Sequence, residues 1–210
     1  MNRGFFITFE GLEVAGKSTQ IRILQKYLAS KGWPVVVTRE PGGTFIGDEI
    51  RDILLDVDNK DIDYKVEALL YAASRTQLAA KIIKPALEEG KIVLSDRYID
   101  SSLAYQGYGR LLPTDLILEF NKWGTDALQP NLTLLLRLPA EAGFARKVGE
   151  QADRIESESL SFHKRVEAGY EEMARMNKDR YRIIDASQSS EKVSQEVIKV
   201  VEDMLKVGVG

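Results

Sequence analysis

Five short apolar runs, at residues 5–9, 35–38, 92–95, 132–138 and 182–185, alternate along the chain with longer stretches of helical hydrophobic period. The runs are rich in Phe, Ile, Val and Leu, which predicts strands buried on both faces. The helical stretches fall at 19–30, 46–55, 65–89, 114–123, 140–148, 159–176 and 191–206. Strand alternating with helix predicts an α/β fold: a five-stranded parallel sheet with helices on both faces, whose ligands bind at the carboxyl ends of the strands. Pro85 should kink the third helical stretch, and Gly32 and Gly90 sit where left-handed helix caps are needed. Residues 149–158, GEQADRIESE, are polar and lie between two helices. They predict a lid, spanning about 146–158.

A length of 210 residues suits one domain, 1–210, and a content of 44% hydrophobic and 29% charged residues is that of an ordinary soluble fold. The net charge is −3 and the basic residues are dispersed, which argues against nucleic acid as a partner. The absence of cysteine excludes disulfides, thiolate metal sites and a cysteine nucleophile, and is compatible with the reducing cytoplasm. The apolar start is too short for a signal peptide, and no run approaches the ~18 apolar residues of a membrane span. The expectation is a soluble, unexported protein without a membrane partner.

Directly after the first strand, Gly11-Leu12-Glu13-Val14-Ala15-Gly16-Lys17-Ser18 satisfies G-x-x-x-x-G-K-[ST], and a helix beginning near Thr19 follows. Backbone N–H groups of such a loop converge on phosphate oxygens, Lys17 adds a full positive charge, and Ser18 offers a hydroxyl to Mg²⁺. This predicts binding of a nucleoside triphosphate. Glu13 would repel phosphates if it faced the cradle, so it should point elsewhere, toward a second substrate, the metal's water shell or solvent. With Val14 where a cation could stand, the loop has no arginine of its own. Neither Asn121-Lys122-Trp123-Gly124 nor Asn177-Lys178-Asp179-Arg180 forms the N-K-x-D signature of a guanine-reading GTPase. The third strand ends Leu94-Ser95-Asp96-Arg97, where Asp96 can organise Mg²⁺ and Arg97 can clamp a second phosphate. Such a pair at a strand end is also a common structural ion pair.

The segment 94–106, LSDRYIDSSLAYQ, closely resembles the signature of thymidylate kinases, members of the P-loop nucleoside monophosphate kinases. Thr38-Arg39-Glu40-Pro41-Gly42-Gly43 resembles a loop of the bacterial members, and the likeness continues through Tyr71-Ala72-Ala73-Ser74-Arg75, Asp153-Arg154-Ile155-Glu156 and Asp185-Ala186-Ser187-Gln188. The resemblance implies a three-layer P-loop NTPase fold, Mg²⁺-dependent transfer of the ATP γ-phosphoryl group to dTMP to give dTDP, and a homodimer. It implies that Tyr71 stacks on thymine and Arg75 bonds an exocyclic oxygen, that Ser102 and Gln106 read other base edges, and that Tyr105 crowds the sugar. Family members usually carry phenylalanine at the position of Tyr71, so its hydroxyl needs a partner. Arg51 and Arg97 would hold the monophosphate, Glu40 would act near its sugar and phosphate end, and Glu13 would contact the deoxyribose or the metal's waters. Arg154 is the first candidate for the lid cation at the transition state, with Arg146 and Lys147 behind it. The rivals are a kinase for another deoxynucleotide or a deoxynucleoside, and a P-loop protein that binds nucleotide without transfer. Asp96-Arg97 and the basic lid argue against the second. His163 is expected to have no role, and Trp33 and Trp123 to be packing residues.

Overall fold

The computed structural model describes residues 4–146 and 153–208. Its sheet consists of β1 (Phe5–Glu10), β2 (Val35–Arg39), β3 (Ile92–Asp96), β4 (Leu132–Arg137) and β5 (Tyr181–Asp185), all parallel in the order β2-β3-β1-β4-β5. The five apolar runs are these strands, each within a residue or so of its expected bounds; the central strands β1, β3 and β4 are covered on both faces, while the edge strands β2 and β5 are partly exposed. On one face Ile7, Phe9, Leu94, Leu134 and Leu136 pack against α1 (Lys17–Ser30) and α9 (Ser190–Gly208). On the other, Phe6 and Val93 meet Leu78, Ile83 and Tyr98, while Leu135 and Tyr181 join Phe162, Val166 and Tyr170. Trp33 is half-buried against the first of these cores. Trp123 corrects the expectation of packing: it is 84% exposed near the end of α6 (Thr114–Thr125).

The long helical stretch is three joined pieces: α3 (Tyr64–Leu78), a π-helical segment (Ala79–Ile83) and α4 (Lys84–Glu88). Pro85 has no N–H to return to the preceding turn, and the wider π geometry just before it takes up the mismatch. Gly32 and Gly90 have φ of 82° and 75°, the left-handed caps expected of them.

One helical stretch was not foreseen. α5 (Ile99–Ser102) runs straight into a second π-helical segment (Leu103–Gly109), where Gly107 and Gly109 weaken the sequence signal. In a π-turn the repeat closes five residues on, so Ser101, Ser102, Tyr105 and Gln106 face one cavity together. This segment is packed by α8 (Leu160–Met176), which comes close because Gly169 lies over Tyr108; a Cβ there would stand 2.6 Å from the ring. The remaining helices are α2 (Phe45–Leu55), started by Thr44, whose Oγ1 accepts from Gly47 N at 3.0 Å, and α7 (Ala140–Arg146). Among the described residues no helix is long and apolar enough to cross a membrane.

Candidate functional site

Parallel pairing of β1 with β3 sets Phe9 opposite Asp96, which brings the loop after β1 beside the Asp96-Arg97 pair. Gly11 is required at the loop's start: its φ is 131°, and a Cβ would meet Leu136 O at 2.4 Å. Gly16 takes a left-handed conformation and α1 begins at Lys17, so the backbone N–H groups of the helix start point into the loop, as phosphate binding requires. Leu12 and Ala15 are buried beneath the loop, while Glu13, Val14, Gly16, Lys17, Ser18 and Thr19 line a cavity of about 410 Å³. Lys17 Nζ donates to Gly11 O at 3.1 Å and Leu12 O at 2.9 Å. Burial, reinforced by the nearby Arg97 charge, lowers its pKa to about 8.

Ser18 Oγ donates to Asp96 Oδ2 at 2.8 Å. This is a hard oxygen pair that fits Mg²⁺, an ion bound through one or two protein oxygens with phosphate and water completing its shell. Among the described residues no cluster of three His, Cys, Asp or Glu could hold a metal by itself.

Arg97 lies across the cavity mouth with φ of 74°. Its Nη1 donates to Gly11 O at 3.1 Å, Ser101 Oγ at 3.1 Å and Tyr170 Oη at 3.3 Å, and its Nη2 to Glu13 Oε1 at 3.0 Å and Tyr105 Oη at 3.2 Å. Glu13 is thus turned from the cradle onto Arg97 and Tyr105, whose hydroxyl donates to it at 2.6 Å. Burial would raise the Glu13 pKa, but Arg97 and Lys17 overcome it and hold the group at about 2. Arg51 reaches the same cavity and donates to Pro41 O at 3.0 Å.

Farther in, the cavity is walled by Tyr71, Ser102, Tyr105, Gln106 and Glu40. Burial raises the Glu40 carboxyl to about 7 in spite of Arg75, and its Oε1 has no hydrogen-bond partner. That leaves a buried polar atom on the cavity wall for a ligand hydroxyl to satisfy.

Two expected ligand groups stand elsewhere. Arg75 is 1% exposed and is not part of the cavity wall. It donates from Nε to Glu40 Oε2 at 2.7 Å, from Nη1 to Ser102 Oγ at 2.9 Å and Asn121 Oδ1 at 2.7 Å, and from Nη2 to Tyr98 O at 3.0 Å. It stands one layer behind the wall because a buried guanidinium needs every donor paired. Arg154 likewise does not face the phosphate cradle. Its Nε donates to Leu54 O at 2.8 Å and its Nη1 pairs with Glu67 Oε2 at 2.7 Å. Lys147 lies outside the described residues, as does the side chain of Arg146.

Sequence reading missed four residues that the structure brings to the site. His163 is buried with Nδ1 3.7 Å from Glu13 Oε2. Tyr170 donates to Glu10 Oε2 at 2.8 Å, Ser101 Oγ donates to the same atom at 2.6 Å, and Glu10 also accepts from Tyr98 N at 2.8 Å. Glu67 lies four residues before Tyr71 and eight before Arg75 on the inner face of α3. The available signals were helical spacing for His163, Tyr170 and Glu67, and for Glu10 a carboxylate ending a strand buried on both sides.

Burial, then the charge of Asp100, raises Glu10 from 4.5 to about 7 against the hydrogen bonds and Arg97. A carboxyl raised in this way takes up a proton on folding, so the stability it contributes is complete below about pH 4.5 and lost as pH rises through 7. Glu10→Gln is therefore expected to flatten the fall in melting temperature between pH 5 and 7.5, about the range where the proton is exchanged. Parallel melting curves of the two proteins across that range would refute the raised value.

Three comparisons bear on the site. The family model described as "Thymidylate kinase" matches residues 9–197. The chain is 46% identical over 200 residues to the thymidylate kinase of Symbiobacterium thermophilum, covering 95% of this chain and 94% of that one. It is 49% identical over 207 residues to that of Halothermothrix orenii, covering 97% and 99%. Among solved structures it is similar to the thymidylate kinase of Ehrlichia chaffeensis, with a TM-score of 0.78, 35% identity, and coverage of 95% of this chain and 99% of that one.

Proposed function

The chain belongs to the thymidylate kinase family and is an ATP-dependent dTMP phosphotransferase; we propose that it works with Mg²⁺ held by Ser18 and Asp96, on dTMP held by Arg97 and Arg51. The observation that supports this reading is one cavity lined both by the loop with Lys17 and by the Arg97 and Arg51 guanidinium groups, which supply cations for a second phosphate site. A nucleotide-binding switch has no use for the second site.

An oxygen of the dTMP phosphate attacks the γ-phosphorus of ATP, the bond to the β-phosphate oxygen breaks, and ADP and dTDP result. Little covalent help is needed, so the protein's part is alignment and charge compensation. Lys17 leaves the loop carbonyls for the β- and γ-phosphates, and Mg²⁺, which Ser18 and Asp96 would hold, would supply further neutralisation of the triphosphate charge. Tyr71 offers its ring to the base, Ser102 and Gln106 address its edges, and Tyr105 and Glu13 close on the sugar. Arg75 acts through Ser102 and Glu40, both of which it holds toward the cavity. Arg154 fixes the base of a lid over 146–158, which leaves Arg146 and Lys147 as the proposed source of lid charge. Lid closure would exclude water as a competing acceptor.

A homodimer is supported by an exposed apolar face on three neighbouring helices: Phe45, Ile46 and Ile53 of α2, Leu69 of α3 and Trp123 of α6. A patch of that kind on a monomer marks an association surface, and a single-chain mass by light scattering would refute it. We place the enzyme in the cytoplasm, where its nucleotide substrates are held.

The test is to supply ATP and Mg²⁺ with each nucleoside and deoxynucleoside monophosphate in turn, following ADP and the phosphorylated acceptor together. dTMP is expected to win, with turnover abolished by a chelator. Preference for another monophosphate would refute the base pocket, and nucleotide binding without any transfer would refute the kinase reading.

A further inference from the structure

Glu67 is an acid in an unusual place: its carboxylate is fully buried on α3, and no step above uses it. Its Oε1 accepts from Gln106 Nε2 at 2.9 Å and from Arg110 Nε at 3.2 Å. Its Oε2 accepts from Arg110 Nη2 at 3.0 Å and pairs with Arg154 Nη1 at 2.7 Å. Arg110 continues to Glu158 and lies over the Tyr64 and Phe162 rings, so the cluster is pinned from several elements.

The orientation of a glutamine amide is set by what surrounds it. A carboxylate between two guanidinium groups can only accept, so the Gln106 group that meets it must be the NH₂. The planar amide then turns Oε1 away from Glu67. Gln106 lines the substrate cavity, and among the described residues no donor meets that oxygen. We propose that Glu67 is a specificity-determining positioning residue: by fixing the Gln106 amide it presents an acceptor to the base, selecting pyrimidines with a protonated ring N3 over those whose N3 is itself an acceptor. The inference rests on the proposed reading of Gln106 as a base contact. Thymine and uracil carry N3–H, whereas cytosine offers a lone pair there, and two facing acceptors leave both unpaired.

The asymmetry of the carboxylate makes the idea testable. Oε2 is the oxygen shared by two guanidinium groups, so the carboxamide created by Glu67→Gln keeps its oxygen there and sets its NH₂ in the place of Oε1. That NH₂ faces Gln106 Nε2, donor against donor, and the Gln106 amide turns over. The cavity then receives a donor, which suits cytosine. A merely structural loss would depress all substrates alike.

The experiment measures kcat/KM for dTMP, dUMP and dCMP with the wild type, Glu67→Gln and Gln106→Met. dUMP and dCMP both lack the methyl group and differ only at the N3 and C4 edge, so their ratio reports on that edge, and Gln106→Met gives the share of it that the amide carries. The expected result is a dUMP over dCMP preference in the wild type that falls at least about tenfold in both variants, the size of one hydrogen bond lost and one mismatch relieved, with the dTMP to dUMP ratio unchanged. If Gln106→Met loses the preference and Glu67→Gln retains it in full, the inference falls and the base reading stands. If the wild type has no such preference, the base reading falls and takes the inference with it. Should Glu67→Gln fail to fold, the side-chain amide spectrum of ¹⁵N-labelled wild type decides. A downfield NH₂ pair protected from exchange and missing from Gln106→Met supports the proposal, and a Gln106 pair that exchanges freely overturns it.

Discussion

Lys17→Met is expected to lower kcat by about 10² to 10³, the loss seen when one preorganised charge stabiliser is removed from an active site, while ATP affinity weakens by only about tenfold. The difference follows from what remains. The backbone N–H groups at the start of α1 remain, as does the Ser18–Asp96 pair proposed to hold the metal, and together they would keep the ground-state phosphates in place. In the proposed arrangement, charge that builds as the γ-phosphoryl group departs loses the cation that Lys17 supplies. Methionine keeps the length of the side chain and removes the charge. Folding survives, because Gly11 O still accepts from Arg97 Nη1, and only Leu12 O loses its donor, at a cost of about 1–3 kcal/mol. Steady-state turnover with calorimetric ATP binding separates the two effects. Equal losses in binding and in kcat/KM with kcat intact would show that Lys17 holds ATP without acting on the transfer.

The sheet was legible because burial on both faces narrows the choice of residue: strands such as Phe5–Glu10 and Leu132–Arg137 are apolar at four of six positions without strict alternation. The phosphate loop was legible because its residues are consecutive and each has a backbone or charge reason to be there. Contacts between distant segments were not. The resemblance implied that Arg75 addresses the ligand beside Tyr71. Only the fold shows Glu40, Ser102 and Asn121 arriving from three other segments to consume its donors. Arg154 read as a mobile lid charge because the acid that neutralises it, Glu67, is 87 residues away and looks like any polar residue of an amphipathic helix. The π-helical stretch at Leu103–Gly109 was hidden for a different reason. Its glycines and mixed polarity satisfy no helical template, yet its wide turn aligns Ser102 and Gln106.

Arg97 combines backbone strain, a partly buried ion pair and the proposed phosphate contact, so its replacement should have the largest effect on substrate use. A non-glycine residue at φ of 74° costs on the order of 1 kcal/mol, and it persists here because Arg97 N donates to Phe9 O at 3.0 Å and Ser95 Oγ donates to Arg97 O at 2.7 Å. That conformation sends the guanidinium back over the loop, where it lines the cavity and donates to Glu13, Tyr105, Ser101 and Tyr170. Arg97→Met should lower kcat/KM for dTMP by about 10³ to 10⁴, through loss of a bidentate phosphate clamp and of the charge it places near the acceptor. Part of that loss has another source. Without Arg97 the partly buried Glu13 carboxylate has lost its arginine partner beside the proposed phosphate site, and it would repel the anion there. Adding Glu13→Gln to Arg97→Met should therefore restore about tenfold of the loss, although Glu13→Gln alone lowers activity by freeing Tyr105 and Arg97 from their shared partner. A double-mutant cycle on kcat/KM, with dTMP binding measured in parallel, reads the coupling directly. If the two losses simply add, Glu13 does not act through Arg97, and the turn of that carboxylate away from the cradle needs another explanation. If the double variant recovers, the carboxylate that looked misplaced in a phosphate loop is the element that orients the second phosphate's receptor.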